Sequence, residues 1–596
     1  MFRLDSPRLR HLAALGFYLV VAILMTWPVA AHLTDRVAGE LADNRLFVWT
    51  IWVVRQEMMT GHAPLYTTFI YYPEGISLAL HALVVTKTVP GVLVQAMFSP
   101  TATFNLLLLT SMALTGYTTW LLVRHLTRDG RAAIVGGLVF ACSPFYLAHA
   151  TAGHLDYLSA EGIPLFCYLF IRAFNRQRWQ DAFYAGLAMA YTALSNWAYQ
   201  LYLMVFCALF FVYHLIVERR AHLQWPVLKQ YIITAVVAGA CSAPLTVPAY
   251  VATRSGTYDV TRYIGGAALY VSDIVGFITP SPNHFVLGKL VQPIFGRFTG
   301  GPTEGTVFMG FSVLILAGLG LRRAGRKQGL LWLAVALAFA LISLGPGLHI
   351  LGQYQFPQLS WIHMGSAAYK LGVPMKPEWV QLFDQAPMIP LPGAALQLLP
   401  FFQWTRASSR FIVVTMLALA VLAGFGVARI RQAVRSSRWL GLPASSITTA
   451  LAGVLVLFEF CIVPFPTQPI AAPDFYRRLA QEPGDFATLD LPIQPYQLQP
   501  QFLQTFHGKR LVYAHLSRVP EERFAYLDLV RDQVYQPTGY LQAADIRYLL
   551  LHTDQLSSLK PAEAESLQAA LDANFYLVER EDDLRVYRAY PIRGTP

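Results

Sequence analysis

The chain has 596 residues, of which 55% are hydrophobic and only 13% are charged. Soluble domains carry roughly a quarter charged residues, so this composition excludes a soluble enzyme. The formal net charge of +11 is divided among short basic clusters between apolar runs, and this pattern does not indicate a nucleic-acid partner.

Long apolar runs recur along most of the chain and predict an α-helical polytopic membrane protein. We predict about eleven transmembrane helices, since a span needs about 20 residues. The predicted spans lie near residues 11–33, 104–123, 132–149, 159–174, 182–196, 198–217, 230–250, 305–321, 329–345, 410–428 and 445–463. The apolar stretch 83–98 is short and contains Lys87 and Pro90, so we predict an outer helix that does not cross.

The basic residues predict the orientation of the spans, because they collect in short cytoplasmic loops. With eleven spans, every short basic loop falls on the side of the N-terminus, which is therefore predicted to be cytoplasmic. The chain then divides into a membrane domain, residues 1–463, and an extracytoplasmic domain, residues 464–596. Three long outer loops belong to the membrane domain: 34–103, 251–304 and 346–409.

The extracytoplasmic domain has the composition of a soluble protein. Short apolar segments predict strands at 487–491, 511–515 and 546–551 and a hairpin at 576–587. Helical patterns at 520–534 and 562–571 lie between them. Strands interleaved with helices are typical of a small α/β domain.

The first outer loop contains a helical pattern that starts at Asp43. Phe47, Ile51, Val54 and Met58 recur on one helical face, which predicts an amphipathic helix at the membrane surface. Asp43 would cap the N-terminus of this helix. The same position suits a catalytic carboxylate.

A short outer loop follows the third predicted span and contains His154 and Asp156, and Glu161 lies just inside the next predicted helix. Ionisable groups crowded at a membrane boundary are costly unless they face a polar cavity. We therefore regard these three residues as candidate site residues. The alternative is that they only mark the ends of helices.

Three cations, Lys87, Arg406 and Arg410, fall on the outer side, where basic residues are disfavoured. Arg406 and Arg410 are four positions apart, so on a helix their guanidinium groups could bind one phosphate. The alternative is that they reach lipid headgroups. Glu459 is the one acidic residue near the middle of a predicted span, and it is either functional or paired with a base.

These features resemble the GT-C membrane glycosyltransferases, in particular the aminoarabinose transferase and protein O-mannosyltransferase group. The resemblance consists of a carboxylate that opens a helix after the first span, the segment 87–91 (KTVPG) before a short apolar helix, and a second acidic loop. The segment 72–78 (YPEGISL) is similar to one in a broad set of uncharacterised bacterial membrane proteins.

The resemblance implies an enzyme of the bacterial cytoplasmic membrane that transfers a sugar, with inversion, from a polyprenyl-phosphate donor. The acceptor would be an extracytoplasmic glycan, lipid or protein. Asp43 matches the family's first-loop carboxylate, a general base, and Asp156 matches its second acidic position. Together they could hold a divalent cation such as Mg²⁺ or Mn²⁺. The family often has two acids where this sequence has Asp43 and Asn44.

Two other functional classes remain open. A transporter or flippase of lipid-linked saccharides would also need a polar cavity and cationic phosphate contacts, although we find no inverted repeat in the sequence. A non-catalytic membrane protein of envelope assembly is the other alternative, since the second acid beside Asp43 is missing. In each case the chain would contact membrane lipids.

Overall fold

The computed structural model describes most of the chain. The described residues are 6–40, 43–254, 258, 269–356, 358, 363–370, 380–381, 384, 388–396, 399, 402, 405, 407–494 and 497–591.

Helices dominate the structure. In chain order they are α1 (Pro7–Met25), α2 (Asp43–Met59), α3 (Val85–Val94), α4 (Pro100–Thr127), α5 (Gly130–Ala141), α6 (Pro144–Thr151), α7 (Leu155–Leu158), α8 (Gly162–Arg176), α9 (Trp179–Ser195), α10 (Trp197–Glu218), α11 (Trp225–Arg254), α12 (Gly288–Phe295), α13 (Gly301–Gly305), α14 (Phe311–Leu321), α15 (Arg326–Ser343), α16 (Met364–Lys370), α17 (Gly393–Leu396), α18 (Ile412–Ala433), α19 (Ala444–Phe460), α20 (Asp474–Gln481), α21 (Gln499–His507), α22 (Glu522–Tyr535), α23 (Tyr540–Ala543) and α24 (Pro561–Asn574).

The strands are few and short. They are β1 (Arg36–Ala38), β2 (Tyr66–Thr67), β3 (Ile76–Ser77), β4 (Arg438–Trp439), β5 (Leu442–Pro443), β6 (Thr467–Pro469), β7 (Ala487–Leu491), β8 (Arg510–Leu511), β9 (Ile546–His552), β10 (Tyr576–Glu581) and β11 (Leu584–Arg588).

Among the described residues, six helical segments are long and apolar enough to cross a membrane. They are α1, α4, α10, α11, α15 and the segment Ser408–Ala433, which contains α18. The pair α5 and α6, bent by 45° at a short break, would add a seventh. The predicted number of about eleven is not confirmed. Helices do lie in every predicted span, but α8, α9, α14 and α19 have only 15, 17, 11 and 17 residues.

The chain divides into two compact units. Unit 1 comprises Met1–Ala31, Leu108–Ala243 and Thr261–Pro466. Its central helix is α18, which is buried continuously from Ile412 to Ala428 and packs against α5, α14, α15 and α19. Glycines allow the close approach of α14 to α18, because a Cβ atom at Gly426 would lie 2.0 Å from the carbonyl oxygen of Leu316.

Unit 2 comprises His32–Leu107, Pro244–Val260 and Thr467–Pro596. Its sheet has the strand order β10–β11–β9–β7–β8. Strand β7 runs parallel to β8 and β9, whereas β11 is antiparallel to β9 and β10. The predicted strand 511–515 is reduced to the two residues of β8.

Unit 2 also contains the first outer loop, which the sequence analysis assigned to the membrane domain. Strand β1 of this loop pairs with β6 in antiparallel register, with Arg36 opposite Pro469. Helix α2 packs against α3, β1 and α21. The first loop and the C-terminal residues therefore share one compact unit.

Helix α2 differs from the predicted amphipathic surface helix. Its buried residues run from Asn44 to Glu57 and lie on every face, because other elements of unit 2 cover the helix. The helix begins at Asp43, so this carboxylate lies in its first turn.

Candidate functional site

Arg410 and Glu304 form a buried ion pair in unit 1. Arg410 lies in the turn Ser408–Phe411 that precedes α18, and Glu304 lies in α13. The Arg410 Nε atom donates to Glu304 Oε1 at 2.8 Å, and the Ser409 hydroxyl donates to Glu304 Oε2 at 2.7 Å. The two charged side chains are only 14% and 7% exposed. Such a pair is stable only when hydrogen bonds offset the loss of hydration, and here both carboxylate oxygens have donors.

Tyr157 completes this group of residues. Arg410 Nη1 donates to the Tyr157 hydroxyl, and the Arg410 Cζ atom lies 4.3 Å from the centre of the Tyr157 ring. The same ring stacks on His149 at 4.7 Å between centroids. We name Tyr157, Glu304, Ser409 and Arg410 the arginine cluster. It combines a buried ion pair with an aromatic wall.

The protonation states within the arginine cluster follow from burial and charge. Burial would raise the pKa of Glu304, but the charges of Arg410 and His149 and the hydrogen bonds from Arg410 and Ser409 together outweigh this effect and lower the pKa to about 2. Burial raises the pKa of Tyr157, although the Arg410 charge acts in the opposite direction. At neutral pH the cluster therefore offers a carboxylate and a protonated phenol.

The predicted second-loop residues lie in or next to the short helix α7. His154 Nδ1 is hydrogen-bonded to His149 Nδ1 at 2.7 Å, so it adjoins the arginine cluster through the His149 ring. Asp156 accepts a hydrogen bond from Asn196 Nδ2 at 3.2 Å. Glu161 is buried and accepts a hydrogen bond from the hydroxyl of Tyr191.

Asn196 connects the second loop to α10. Its side-chain oxygen caps the first turn of α10 by accepting from the Ala198 backbone N–H at 2.8 Å, while its amide nitrogen binds Asp156. Asp156 is thereby oriented by a group that also fixes the start of a helix.

Asp43 and Lys87 both lie in unit 2. Asp43 is half-buried in the first turn of α2, where the helix dipole favours a negative charge. Lys87 is buried in α3, which is a short helix as predicted. Asp43 and Asp156 belong to different units, so a shared cation site stays a prediction.

Arg406 lies outside the described residues. The helix that was expected to present Arg406 and Arg410 on one face begins only at Ile412, and Arg410 itself is in the preceding 3₁₀ turn. The paired geometry of the two arginines therefore stays a prediction.

A buried polar network lies next to the hydrophobic residues of α2. His81 Nε2 is hydrogen-bonded to the Thr50 hydroxyl at 2.8 Å, and Trp49 Nε1 donates to Gln504 Oε1 at 2.7 Å. Burial, assisted by the nearby His515, lowers the pKa of His81 to about 3. The imidazole is therefore neutral at physiological pH.

The segment 72–78, part of the sequence resemblance, forms a tight turn. Ile76 and Ser77 constitute β3, which pairs with β2. Gly75, the last residue of the connection between these two strands, has φ of +71°. A Cβ atom at Gly75 would lie 2.6 Å from the Thr67 carbonyl oxygen. This position thus needs glycine for both its conformation and its lack of a side chain.

Glu459 has a structural role. Its carboxylate accepts hydrogen bonds from the backbone N–H of Ser312 at 2.9 Å and from the Ser312 hydroxyl at 2.9 Å. Ser312 is in the first turn of α14, where backbone N–H groups lack helical partners. Glu459 satisfies these donors, which explains an acidic residue in an apolar helix.

Three residues of the arginine cluster, Tyr157, Glu304 and Ser409, were not predicted. Glu304 is the last residue of the outer loop 251–304 and adjoins a predicted span. It therefore carried the same signal, an acid at a membrane boundary, that singled out Glu161. Tyr157 follows Asp156 directly, but an aromatic residue at a membrane boundary is too common to be diagnostic.

Comparison with protein families assigns residues 13–364 to the domain of unknown function DUF6311. These residues make up more than half of the chain. No curated protein sequence matches the chain.

Solved structures share the fold at low sequence identity. The cryo-EM structure of the arabinofuranosyltransferase AftD from Mycobacteria matches with a TM-score of 0.52 and 13% identity, over 98% of this chain and 40% of AftD. A mutant of AftD gives a TM-score of 0.55 at 14% identity, over 98% of this chain and 41% of that one. The chain thus spans about 40% of the length of AftD.

The crystal structure of apo ArnT from Cupriavidus metallidurans matches with a TM-score of 0.50 and 13% identity, over 96% of this chain and 97% of ArnT. AftD and ArnT are glycosyltransferases of the GT-C superfamily. The chain has a GT-C-like membrane-protein fold.

Proposed function

The chain belongs to the DUF6311 family, and from its GT-C-like fold we propose that it is an inverting membrane glycosyltransferase. In this proposal it moves a sugar from a polyprenyl-phosphate donor to an extracytoplasmic acceptor. The observation that carries the proposal is the match to ArnT over nearly the whole of both chains.

The proposed roles of the residues follow from their chemistry. Asp43 acts as the general base that accepts the proton of the acceptor group. Lys87, Arg406 and Arg410 stabilise the charge on the departing lipid phosphate, since a leaving phosphate needs cationic partners. His154 and Glu161 bind the substrate.

A divalent cation such as Mg²⁺ or Mn²⁺ is part of the proposal, with Asp43 and Asp156 as its oxygen ligands. Carboxylate oxygens suit such hard cations. Support for the role of Asp156 comes from its fixed orientation, since Asn196 holds it at the start of α10.

The proposed location is the bacterial cytoplasmic membrane, with a cytoplasmic N-terminus and an extracytoplasmic C-terminal region. The proposal keeps the span number at about eleven, so some of the shorter helices α8, α9, α14 and α19 would also cross. Support comes from the side preference of the short basic loops.

The proposal is tested with purified protein in proteoliposomes that contain a radiolabelled polyprenyl-phosphate sugar. A crude envelope extract supplies acceptors, and a panel of hexose and pentose donors covers the sugar class. We expect label to leave the lipid and to appear in a covalent product only when the protein is present. Movement of intact labelled lipid between leaflets without product would instead identify a transporter. The absence of both product and lipid movement would support a non-catalytic protein.

A further inference from the structure

Three side chains at the end of α10 and in the turn after it form a compact group in unit 1. His214 Nδ1 lies 3.2 Å from one carboxylate oxygen of Glu218, and His222 Nδ1 lies 3.8 Å from the other. One nitrogen of each histidine and one Glu218 oxygen all lie within 4.8 Å of one another. Among the described residues this is the one set of three such groups with metal-ligand spacing.

These distances suit a metal ion. A tetrahedral ion with bonds of about 2.0 to 2.2 Å to nitrogen and oxygen separates its ligand atoms by about 3.4 Å. The separations of 3.2 Å and 3.8 Å from the two histidines, each to a different oxygen of Glu218, lie on either side of this value. Two imidazoles and one carboxylate are also the ligand set that zinc-like divalent ions accept with one position left open.

The two histidine rings are held by neighbours that leave their Nδ1 atoms directed towards Glu218. His222 Nε2 is hydrogen-bonded to the Tyr231 hydroxyl at 2.9 Å, which uses the nitrogen that does not face the carboxylate. The His214 and His222 rings are stacked at 5.3 Å with an interplanar angle of 18°. A hydrogen bond on the far nitrogen of a ligating histidine is the usual way in which proteins orient such a ligand.

A cavity of about 150 Å³ adjoins the group and is lined by all three side chains. Its wall also contains the polar residues Asn175, Gln177 and Lys327. The cavity is large enough to hold water. An ion bound by the three protein ligands would therefore have its fourth coordination position open to this cavity. The position would suit water or a small anion.

We propose that His214, Glu218 and His222 form a binding site for a divalent transition-metal ion of the zinc type. The site is separate from the Mg²⁺- or Mn²⁺-type site proposed for Asp43 and Asp156, and it differs in ligand chemistry. It joins the end of α10 to the turn that leads into α11, so the ion would fix this corner of unit 1. The inference does not depend on the glycosyltransferase proposal.

The test is metal binding by the purified full chain in detergent, prepared with an affinity tag that contains no histidine. Zn²⁺ binding is measured by equilibrium dialysis and elemental analysis, and Co²⁺ replaces it to give visible absorption bands that report tetrahedral coordination. We expect one ion per chain in the wild-type protein. Absence of stoichiometric binding would overturn the proposal.

Substitutions assign the ligands. H214Q and H222Q should each weaken Zn²⁺ binding by at least about 100-fold, since loss of an outer hydrogen bond alone costs about 10- to 100-fold. Y231F, which removes such an outer bond, should weaken binding by about 10-fold while the Co²⁺ spectrum keeps its shape. The matched control is H125Q, because His125 lies in the same unit and contacts Tyr168 instead of the group.

Folding of each variant is checked by size-exclusion chromatography and by thermal unfolding with and without Zn²⁺. A bound ion raises the unfolding temperature only of proteins that bind it in the folded state. We expect this rise in the wild-type protein and in H125Q but not in H214Q or H222Q. Equal Zn²⁺ affinity in all four proteins would show that other residues bind the ion and would overturn the assignment.

Discussion

The arginine cluster contains two opposite charges that are largely buried. Glu304 keeps its negative charge because Arg410 and Ser409 donate to both of its oxygens. Removal of either charge would leave the other buried and uncompensated. In proteins this costs more than the pair itself contributes, because the remaining charge has lost its hydration.

Glu304→Gln should therefore lower the free energy of unfolding by about 3 to 5 kcal/mol. The measurement is thermal or denaturant unfolding in detergent. The control is Glu579→Gln, which breaks the exposed pair between Glu579 and Arg478 and should change stability by less than about 1 kcal/mol. Equal effects of the two substitutions would contradict the account of the cluster.

The same pair predicts a pH dependence. The folded-state pKa of Glu304, about 2, lies below its ordinary value of 4.5. Its contribution to stability is therefore complete above pH 4.5 and is lost as the pH falls towards 2. The stability difference between the wild-type protein and Glu304→Gln should shrink over that range. A difference that stays constant to pH 3 would exclude Glu304 as the titrating group.

Arg410→Ala separates a phosphate-binding role from a structural one. If Arg410 binds the carrier phosphate, this substitution should weaken carrier binding by about 1.5 to 3 kcal/mol. Glu304→Gln should not weaken carrier binding, because it removes a carboxylate that competes with the phosphate for Arg410. Binding of a fluorescent polyprenyl-phosphate analogue measures both. Parallel losses in the two variants would mean that Arg410 only supports the fold.

The sequence indicated Arg410, Asp156, His154 and Glu161 by their charge at predicted membrane boundaries, but it could not indicate their partners. Glu304 and Arg410 are 106 positions apart, and no local pattern connects them. Partners at such separations depend on how helices pack. The role of Glu459 as a cap for α14 was hidden for the same reason.

Helix α2 is the element whose environment departs furthest from the prediction. Its apolar residues fit a surface helix by spacing, yet Trp49 and Asn44 are fully buried because neighbouring elements cover the other faces. Helical periodicity predicts that a segment is helical, and the predicted spans all contain helices. It does not reveal what packs against a helix from a distant part of the chain.

Trp49→Ala tests the burial of α2 within unit 2. The Trp49 side chain is fully buried, and its loss should destabilise unit 2 by about 3 to 5 kcal/mol. It also leaves the Gln504 oxygen without its donor. Faster hydrogen exchange in α2 and α21 would report the change. The control on the same helix is Met59→Ala, since Met59 is 66% exposed and should be tolerated. Similar exchange in both variants would contradict a buried α2.

The whole molecule can be oriented in the membrane by reporter fusions. A reporter fused after Arg438 should behave as cytoplasmic, and one fused after Pro596 should behave as extracytoplasmic, because Arg438 lies in a basic loop and the last proposed span, 445–463, separates the two positions. The same compartment at both positions would exclude the proposed orientation and the span number. Helix length alone could not determine the number of transmembrane spans, since several apolar helices are shorter than a usual span.

The central claim is that this protein uses a carboxylate of its first outer loop to transfer a sugar. Asp43→Asn keeps the size of the side chain at the start of α2 but removes its basicity. Sugar transfer by purified protein in proteoliposomes, normalised to protein amount, measures the effect. Glu40→Gln, an exposed acid in the same loop, is the control.

We predict that Asp43→Asn reaches normal abundance and transfers sugar about 100- to 10,000-fold more slowly, which is the range expected for the loss of a positioned general base. The transfer rate of Glu40→Gln should be nearly unchanged. Transfer by Asp43→Asn at the wild-type rate would contradict the account and would move the search for the base to Asp156.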